Sequence, residues 1–329
     1  MTRALTRRRF LSIAACAGLA GSSTELAAPE RLRWQGVALG ADVSITLVGP
    51  DAITRPALAR ARLEIEAYEA RFSLFRAESE LVRLNAQGFL PEVDARWRAL
   101  LLACDHLHKA TGGAFDPTIQ PLWLAHARGS DIDAARALVG WDRVRLPAPG
   151  QRGLQLGAGQ ALSFNGIAQG AATDAVRAVL HAAGLRRVLI DIGETAAIGG
   201  PWQIGLSDPE VGEFAREMLQ DNAVAVSTPA ALRLDANALH ILDPRKHAAP
   251  KWSSTAVTAQ DATLADGLST AACFMSLAEL RDCLADMPSV GSVTLLAQSG
   301  ETITAQAGCE PMFRLSNPQE HCGDLSRQH

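Results

Sequence analysis

The 329-residue chain is 48% hydrophobic and 20% charged, with a formal net charge of -4. That is ample material for a buried core in one large domain or two smaller ones. Charges of both signs are spread along the sequence with no basic patch, which sets aside nucleic acid as a partner.

Residues 1–28 read as an export signal. Arg3, Arg7, Arg8 and Arg9 precede an apolar stretch, 10–20, rich in Ala and Gly. Thr6, Arg7, Arg8, Arg9, Phe10 and Leu11 fit the twin-arginine signal, which carries folded proteins across the bacterial inner membrane, so the expected location is the periplasm. The apolar stretch is too short for a membrane-spanning helix, which needs about 20 apolar residues. Ile13, Ala14, Ala15 and Cys16 also resemble a lipoprotein cleavage box, but they lie too close to the arginines to leave a normal apolar region. Beyond the signal stand Cys104, Cys273, Cys283, Cys309 and Cys322, an odd set without a CxxC spacing. An oxidising compartment permits a Cys309–Cys322 bridge, while Cys104 and Cys273, in apolar helical contexts, are expected to be inert buried thiols.

Residues 30–47 alternate through Leu32, Trp34, Val37, Val43, Ile45 and Leu47, which predicts two strands around a turn at Gly40. A long helix follows, with Leu58, Ala61, Ile65, Tyr68 and Phe72 on one face. Further helices are predicted over 96–109 and 131–138, then a strand over 141–146 and a Pro/Gly turn at 147–150. The second half alternates: a helix over 169–183 with Ala172, Val176, Val179 and Ala183 as its buried stripe, then a strand over 188–192. Strands over 202–206, 223–227, 255–259 and 293–297 and helices over 263–275 and 277–287 complete the set. The layout is α+β, or mixed α/β, without an internal repeat. The folded domain is expected over 30–312, with 313–329 a loosely structured tail.

Several segments carry chemistry. Residues 163–170, Ser-Phe-Asn-Gly-Ile-Ala-Gln-Gly, stand directly before a helix, where exposed N–H groups and the helix dipole favour anions. Read alone, a plain glycine turn is the better account of them. Asp266 and Thr270 are four apart on a predicted helix and so share a face. A carboxylate and a hydroxyl there are hard oxygen ligands suited to Mg²⁺, although a helix cap or solvated face is the plainer reading of such a pair.

Taken in order, the segments resemble the ApbE family, the FAD:protein FMN transferases, over about residues 35–310. The resemblance runs through Leu39-Gly40, residues 73–76, residues 79–81 with Leu84-Asn85, and residues 114–118. It continues through 163–170 with Asp174, 191–194, Trp202 with Asp208-Pro209, 240–245 and 265–271. It implies a fold with the FAD site between two lobes, Mg²⁺ as the metal, and a client flavoprotein whose Ser or Thr accepts FMN while AMP leaves. By the same resemblance, Leu39, Phe75, Ala114, Phe115, Asp116, Ser163, Gln169 and Ile241 fall at cofactor-binding positions, Phe75 as the aromatic stacking face. Asp266, Thr270 and the carbonyl of Gly166 fall at metal positions. His240 is the candidate for proton transfer or pyrophosphate contact, the former suited to imidazole, whose ordinary pKa of about 6.5 lies near neutrality.

Some positions depart from the family pattern. Ser163 stands where Asp is usual, Asn165 where Gly is common, Gln169 where Lys or Glu is common, and Ser269 where some members carry a second Asp. Ala41 replaces a Thr, and Lys246-His247 replace Thr-Gly. The alternatives are therefore an FAD hydrolase, or an FAD-binding protein with a degenerate site acting as a maturation factor for a membrane electron-transfer complex.

Overall fold

The structure, a computed structural model, describes residues 30–148, 151–236, 238–246, 248–306 and 312–314. The expected export signal, Cys309 and Cys322 lie outside the described residues. In chain order the elements are β1 (Arg31–Ala38), β2 (Ala41–Val48), α1 (Asp51–Phe72), α2 (Glu80–Gln87), β3 (Phe89–Leu90), α3 (Ala95–Ala110), α4 (Gln120–Arg128), α5 (Ile132–Arg136), β4 (Leu154–Gln155) and α6 (Ala168–Ala182). There follow β5 (Val188–Asp191), β6 (Thr195–Ile198), β7 (Trp202–Asp208), β8 (Gly212–Leu219), β9 (Ala223–Ser227), β10 (Ser254–Ala259), α7 (Ala262–Ala272), α8 (Leu277–Ala285), β11 (Val290–Leu296), β12 (Thr302–Ala305) and β13 (Met312–Arg314).

This is the mixed α/β layout that the patterns predict. The main sheet is antiparallel throughout, in the order β1-β2-β5-β6-β9-β10-β11-β12-β13, with β3-β4 and β7-β8 as separate two-stranded pairs. The β12–β13 pairing carries the sheet to Arg314. The β1–β2 turn is built by Leu39 and Gly40, both with left-handed backbone (φ 49 and 77). Leu39 adopts this conformation without glycine's freedom, a strained choice held by its N–H on Glu69 Oε1 at 3.3 Å.

Helix α1 buries Ala57, Ala61, Ile65, Tyr68 and Phe72, the three- and four-residue spacing of one helical face, with Leu58 partly covered at its edge. Phe72 meets Trp97 of α3 edge-on at 4.8 Å between ring centroids, and both meet Phe164 at 5.7 Å. These three rings fasten two helices and the loop before α6 into one core that also takes in the sheet.

The structure corrects several sequence expectations. Residues 141–146 form no strand: Trp141–Arg143 make a 3-10 turn, followed by one isolated bridge from Arg145 to Gln155. Trp141 is fully used elsewhere, its backbone N–H on Asp116 and its indole on Asp105. The helix expected over 131–138 shortens to α5, which starts where Asp131 caps the N–H of Ala134. On α6 the buried stripe runs Ala172, Val176, Leu180, while Val179 and Ala183 are only partly covered. Helices α7 and α8 stop at Ala272 and Ala285, short of the expected 275 and 287. Cys104, Cys273 and Cys283 are free and buried, and among the described residues no helix is long and apolar enough to cross a membrane.

Helix α8 opens with a capping box in which the Ser276 hydroxyl and the Glu279 carboxylate serve each other's backbone N–H. Glu279 also accepts Arg245 Nη1 at 3.0 Å, which ties α8 to the 240–246 segment. The Ser276 backbone N–H, then its hydroxyl and Arg245, pull the Glu279 carboxyl down to about 2, against slight burial. A depressed folded-state pKa means that this stabilisation is complete above the ordinary value of 4.5 and fades as pH falls toward 2. Melting temperatures of wild type and Glu279→Gln should therefore differ at neutral pH and converge below that value.

Candidate functional site

An open cavity gathers residues from four distant stretches: 114–123 after α3, the 163–166 loop, the 240–244 segment, and Thr270 on α7. Of the residues expected at a site, Ala114, Phe115, Asp116, Ser163, Gly166, His240, Ile241 and Thr270 all line it. A second, mainly apolar cavity adjoins through shared Trp123 and Asn165 and is lined by Phe75, which is 63% exposed.

The 114–116 turn is shaped by the end of α3. Gly112 and Gly113, with φ of 56 and 77, reverse the chain where a side chain would strain it. Thr111 donates its hydroxyl to the Leu107 carbonyl at 2.7 Å and accepts the Phe115 N–H at 3.1 Å. His108, one turn earlier, holds the Phe115 carbonyl at 3.0 Å through Nδ1. The Asp116 carboxylate is committed inward: Oδ1 accepts the Thr118 N–H and hydroxyl at 2.8 and 2.6 Å, and Oδ2 accepts the Trp141 N–H at 3.1 Å. Asp116 thus lines the cavity as the builder of its turn. The adjacent loop is stitched to the same wall by the Ser163 N–H on the Pro117 carbonyl at 2.8 Å.

His240 is buried, with Nδ1 2.9 Å from the Pro229 carbonyl. A carbonyl only accepts, so Nδ1 carries the proton in this contact. The neighbouring segment is braced by Arg245, which donates to Asp243 Oδ1, Glu279 and the Phe274 carbonyl.

Asp266 is 0% exposed and accepts the Gly170 N–H at 3.0 Å, so it meets the first turn of α6. Asp174 answers from α6, capping the start of α7 through the N–H groups of Ala262 and Thr263 at 2.9 and 2.8 Å. Burial raises the Asp174 carboxyl above its ordinary value, against the pull of Thr263, Ala262 and Arg177. Leu39 and Gln169 stand apart from the cavity lining: buried Gln169 reaches the Leu39 carbonyl at 3.5 Å and lies against Gly193, where a Cβ would fall 2.6 Å from its Nε2.

Pattern reading missed His108 and Trp123 as parts of the site, while Leu242, Pro244 and Arg245 were marked only as members of the 240–245 segment, without a role of their own. His108 reaches Phe115 only because two left-handed glycines fold the chain back, which no period in the sequence records. Trp123 was detectable only as an aromatic one helix beyond the 114–118 segment.

Gly166 lies so near Thr270 that a Cβ there would fall 2.7 Å from Oγ1 and 3.1 Å from Cγ2. Gly166→Ala should push the loop off α7 and cost about 1 to 3 kcal/mol of stability, read as a lowered midpoint in urea with unchanged slope.

The sequence matches the family model described as the ApbE family over residues 39–293. No curated protein gives a significant match. Among solved structures, an ApbE protein from Thermotoga maritima superposes with a TM-score of 0.74 at 23% identity, covering 85% of this chain and 97% of that one. The apo flavinyl transferase ApbE from Pseudomonas stutzeri gives 0.71 at 24% identity, covering 87% and 97%. The flavin transferase ApbE from Vibrio cholerae gives 0.71 at 20% identity, covering 85% and 98%. With a family match spanning most of its length, the chain belongs to the ApbE family.

Proposed function

We propose that this chain is a flavin transferase that moves FMN from FAD onto a Ser or Thr hydroxyl of a client protein, releasing AMP and using Mg²⁺. The observation that carries this reading is the convergence of the 114–116 turn, Ser163, Gly166, His240, Ile241 and Thr270 on one cavity from segments far apart in sequence. Family membership and a fold shared with proteins named flavin transferases support the transferase class. The twin-arginine-like leader supports action in the periplasm on an exported or membrane-associated client.

In this reading the client hydroxyl attacks the FMN-side phosphorus of the FAD pyrophosphate. The bond to the AMP oxygen breaks, and AMP departs with the bonding electron pair. His240, its Nδ1–H held by the Pro229 carbonyl, takes the hydroxyl proton on Nε2. The exposed Phe75 ring offers a face to the flavin or adenine, and the 114–116 turn holds one wall rigid.

The donor set fits a hard divalent cation: the Asp266 carboxylate and the Thr270 hydroxyl lie a turn apart on one face of α7, and the lack of a side chain at Gly166 lets the loop lie close against Thr270, with the Gly166 carbonyl as the third donor. Among the described residues no three His, Cys, Asp or Glu side chains gather as a metal cage, which suits an ion that keeps its waters and shares substrate phosphates. Such an ion would offset charge on the pyrophosphate oxygens. That contribution matters because, among the described residues, no Lys or Arg lines the cavity, and Ser163 and Gln169 bring no charge.

Mass spectrometry of exported or membrane client domains incubated with the protein, FAD and Mg²⁺ tests the proposal. FMN bound to a Ser or Thr with matching AMP release is expected. Free FMN and AMP without a client would make the chain a hydrolase, and FAD binding without turnover would make it a carrier. Asp266→Asn keeps an acceptor for the Gly170 N–H, so its fold should survive while metal-dependent transfer falls about a hundredfold or more. Phe75→Ala should weaken FAD binding by about 1 to 3 kcal/mol in a fluorescence titration while leaving the melting temperature nearly unchanged, since the ring is largely exposed.

A further inference from the structure

Behind Thr270 stands a chain of hydroxyls that the reaction outlined above does not use. Ser227, the last residue of β9 and 1% exposed, lies with its Oγ 2.8 Å from Ser269 Oγ and 3.4 Å from Thr270 Oγ1. Ser269, also buried, donates its hydroxyl to the Asp266 carbonyl at 2.9 Å. Its own backbone carbonyl is held in turn by the Thr255 hydroxyl at 2.6 Å and the Cys273 thiol at 3.4 Å, so β10 and α7 fix the whole group.

Proton counting sets the direction of this chain. Each hydroxyl owns one proton. Ser269 spends its proton on the Asp266 carbonyl, which can only accept. The short contact between the two serines is then made by the Ser227 proton. With that proton spent, Ser227 can only accept from Thr270, and the longest of the three contacts runs from Thr270 to Ser227. The order is Thr270 to Ser227 to Ser269 to the Asp266 carbonyl.

We propose that Ser227 is a positioning residue that draws the Thr270 proton inward and so presents the Thr270 lone pairs to a hard divalent cation, with Ser269 setting the direction of the relay. The proposal rests on the metal reading of Asp266 and Thr270 given above. A hydroxyl ligates a cation through oxygen, and a proton turned toward the ion opposes it. The relay would remove that opposition in advance, and it ends on the backbone of Asp266, the residue whose carboxylate would help hold the same ion.

Mn²⁺ titration followed by electron paramagnetic resonance, on the full chain saturated with FAD, reads the effect without turnover. Ser227→Ala should weaken Mn²⁺ binding about tenfold, the size expected for one hydrogen bond acting on a charged site. Ser227→Thr should restore it. In a Thr270→Val background, Ser227→Ala should cause no further loss, because no hydroxyl remains to orient; a purely structural role for Ser227 would weaken binding equally in both backgrounds. Should Ser227→Ala fail to fold, Ser269→Ala replaces it: freed from Ser269, Ser227 donates to Thr270, and the same weakening is expected. Wild-type Mn²⁺ affinity in a folded Ser227→Ala or Ser269→Ala protein, with Asp266→Asn losing the ion, would overturn the relay and leave the metal site standing. No Mn²⁺ binding by the wild type would overturn the metal reading and the relay together.

Discussion

The approach of α6 to α7 is the constraint on which the site depends. A Cβ at Gly170 would lie 2.3 Å from the Ala262 carbonyl oxygen and 2.8 Å from Asp266 Cβ, so the two helices meet backbone to backbone. Only that closeness lets the Asp266 carboxylate reach the first turn of α6 while Asp174 reaches back to the first turn of α7. Each helix start receives a carboxylate from the other, which satisfies orphan N–H groups and places negative charge at the positive ends of two dipoles. A buried carboxylate costs several kcal/mol unless it is met in this way. Any side chain at position 170 would separate the helices and, with them, Gly166 from Thr270.

The other walls are referred to this clamp through aromatic and ionic contacts. Phe164 carries the loop ahead of α6 into the ring cluster with Phe72 and Trp97, so the loop cannot move without disturbing α1 and α3. On the opposite side, Arg245 spans Asp243, the Phe274 carbonyl and Glu279, which fixes the segment containing Ile241 against α8. Ligand-facing loops are ordinarily the softest parts of a domain. Here each is anchored by a buried group close to the residues that face the cavity, which suits a reaction that depends on alignment more than on reactive side chains.

Much of this was legible in the sequence. The α1 stripe, the turn at Gly40 and the strand over 223–227 follow from local spacing, and the ordered motifs contain many of the residues that line the cavity. What local spacing does not record is where a polar side chain spends its hydrogen bonds. Asp116 reads as a ligand-facing carboxylate, yet both of its oxygens close a turn with Thr118 and Trp141. The same contact removes Trp141 from the strand that its neighbours suggest. Gln169 reads as part of a phosphate-facing loop, yet it packs on Gly193 beneath the Leu39 carbonyl. In each case a contact across tens of residues overrides a local preference, and periodicity is blind to such contacts.

The three buried thiols have a consequence for the life of the chain outside reducing surroundings. Burial pushes Cys104 well above its ordinary value, Cys273 up to about 12 and Cys283 up to about 11. The thiolate is the species that oxidants and disulfides attack, so folding withholds all three both sterically and chemically. An unfolded chain released into an oxidising compartment would expose them to scrambling at the moment of collapse. A chain that met such a compartment only after folding would present Cys104, Cys273 and Cys283 already sealed in its core.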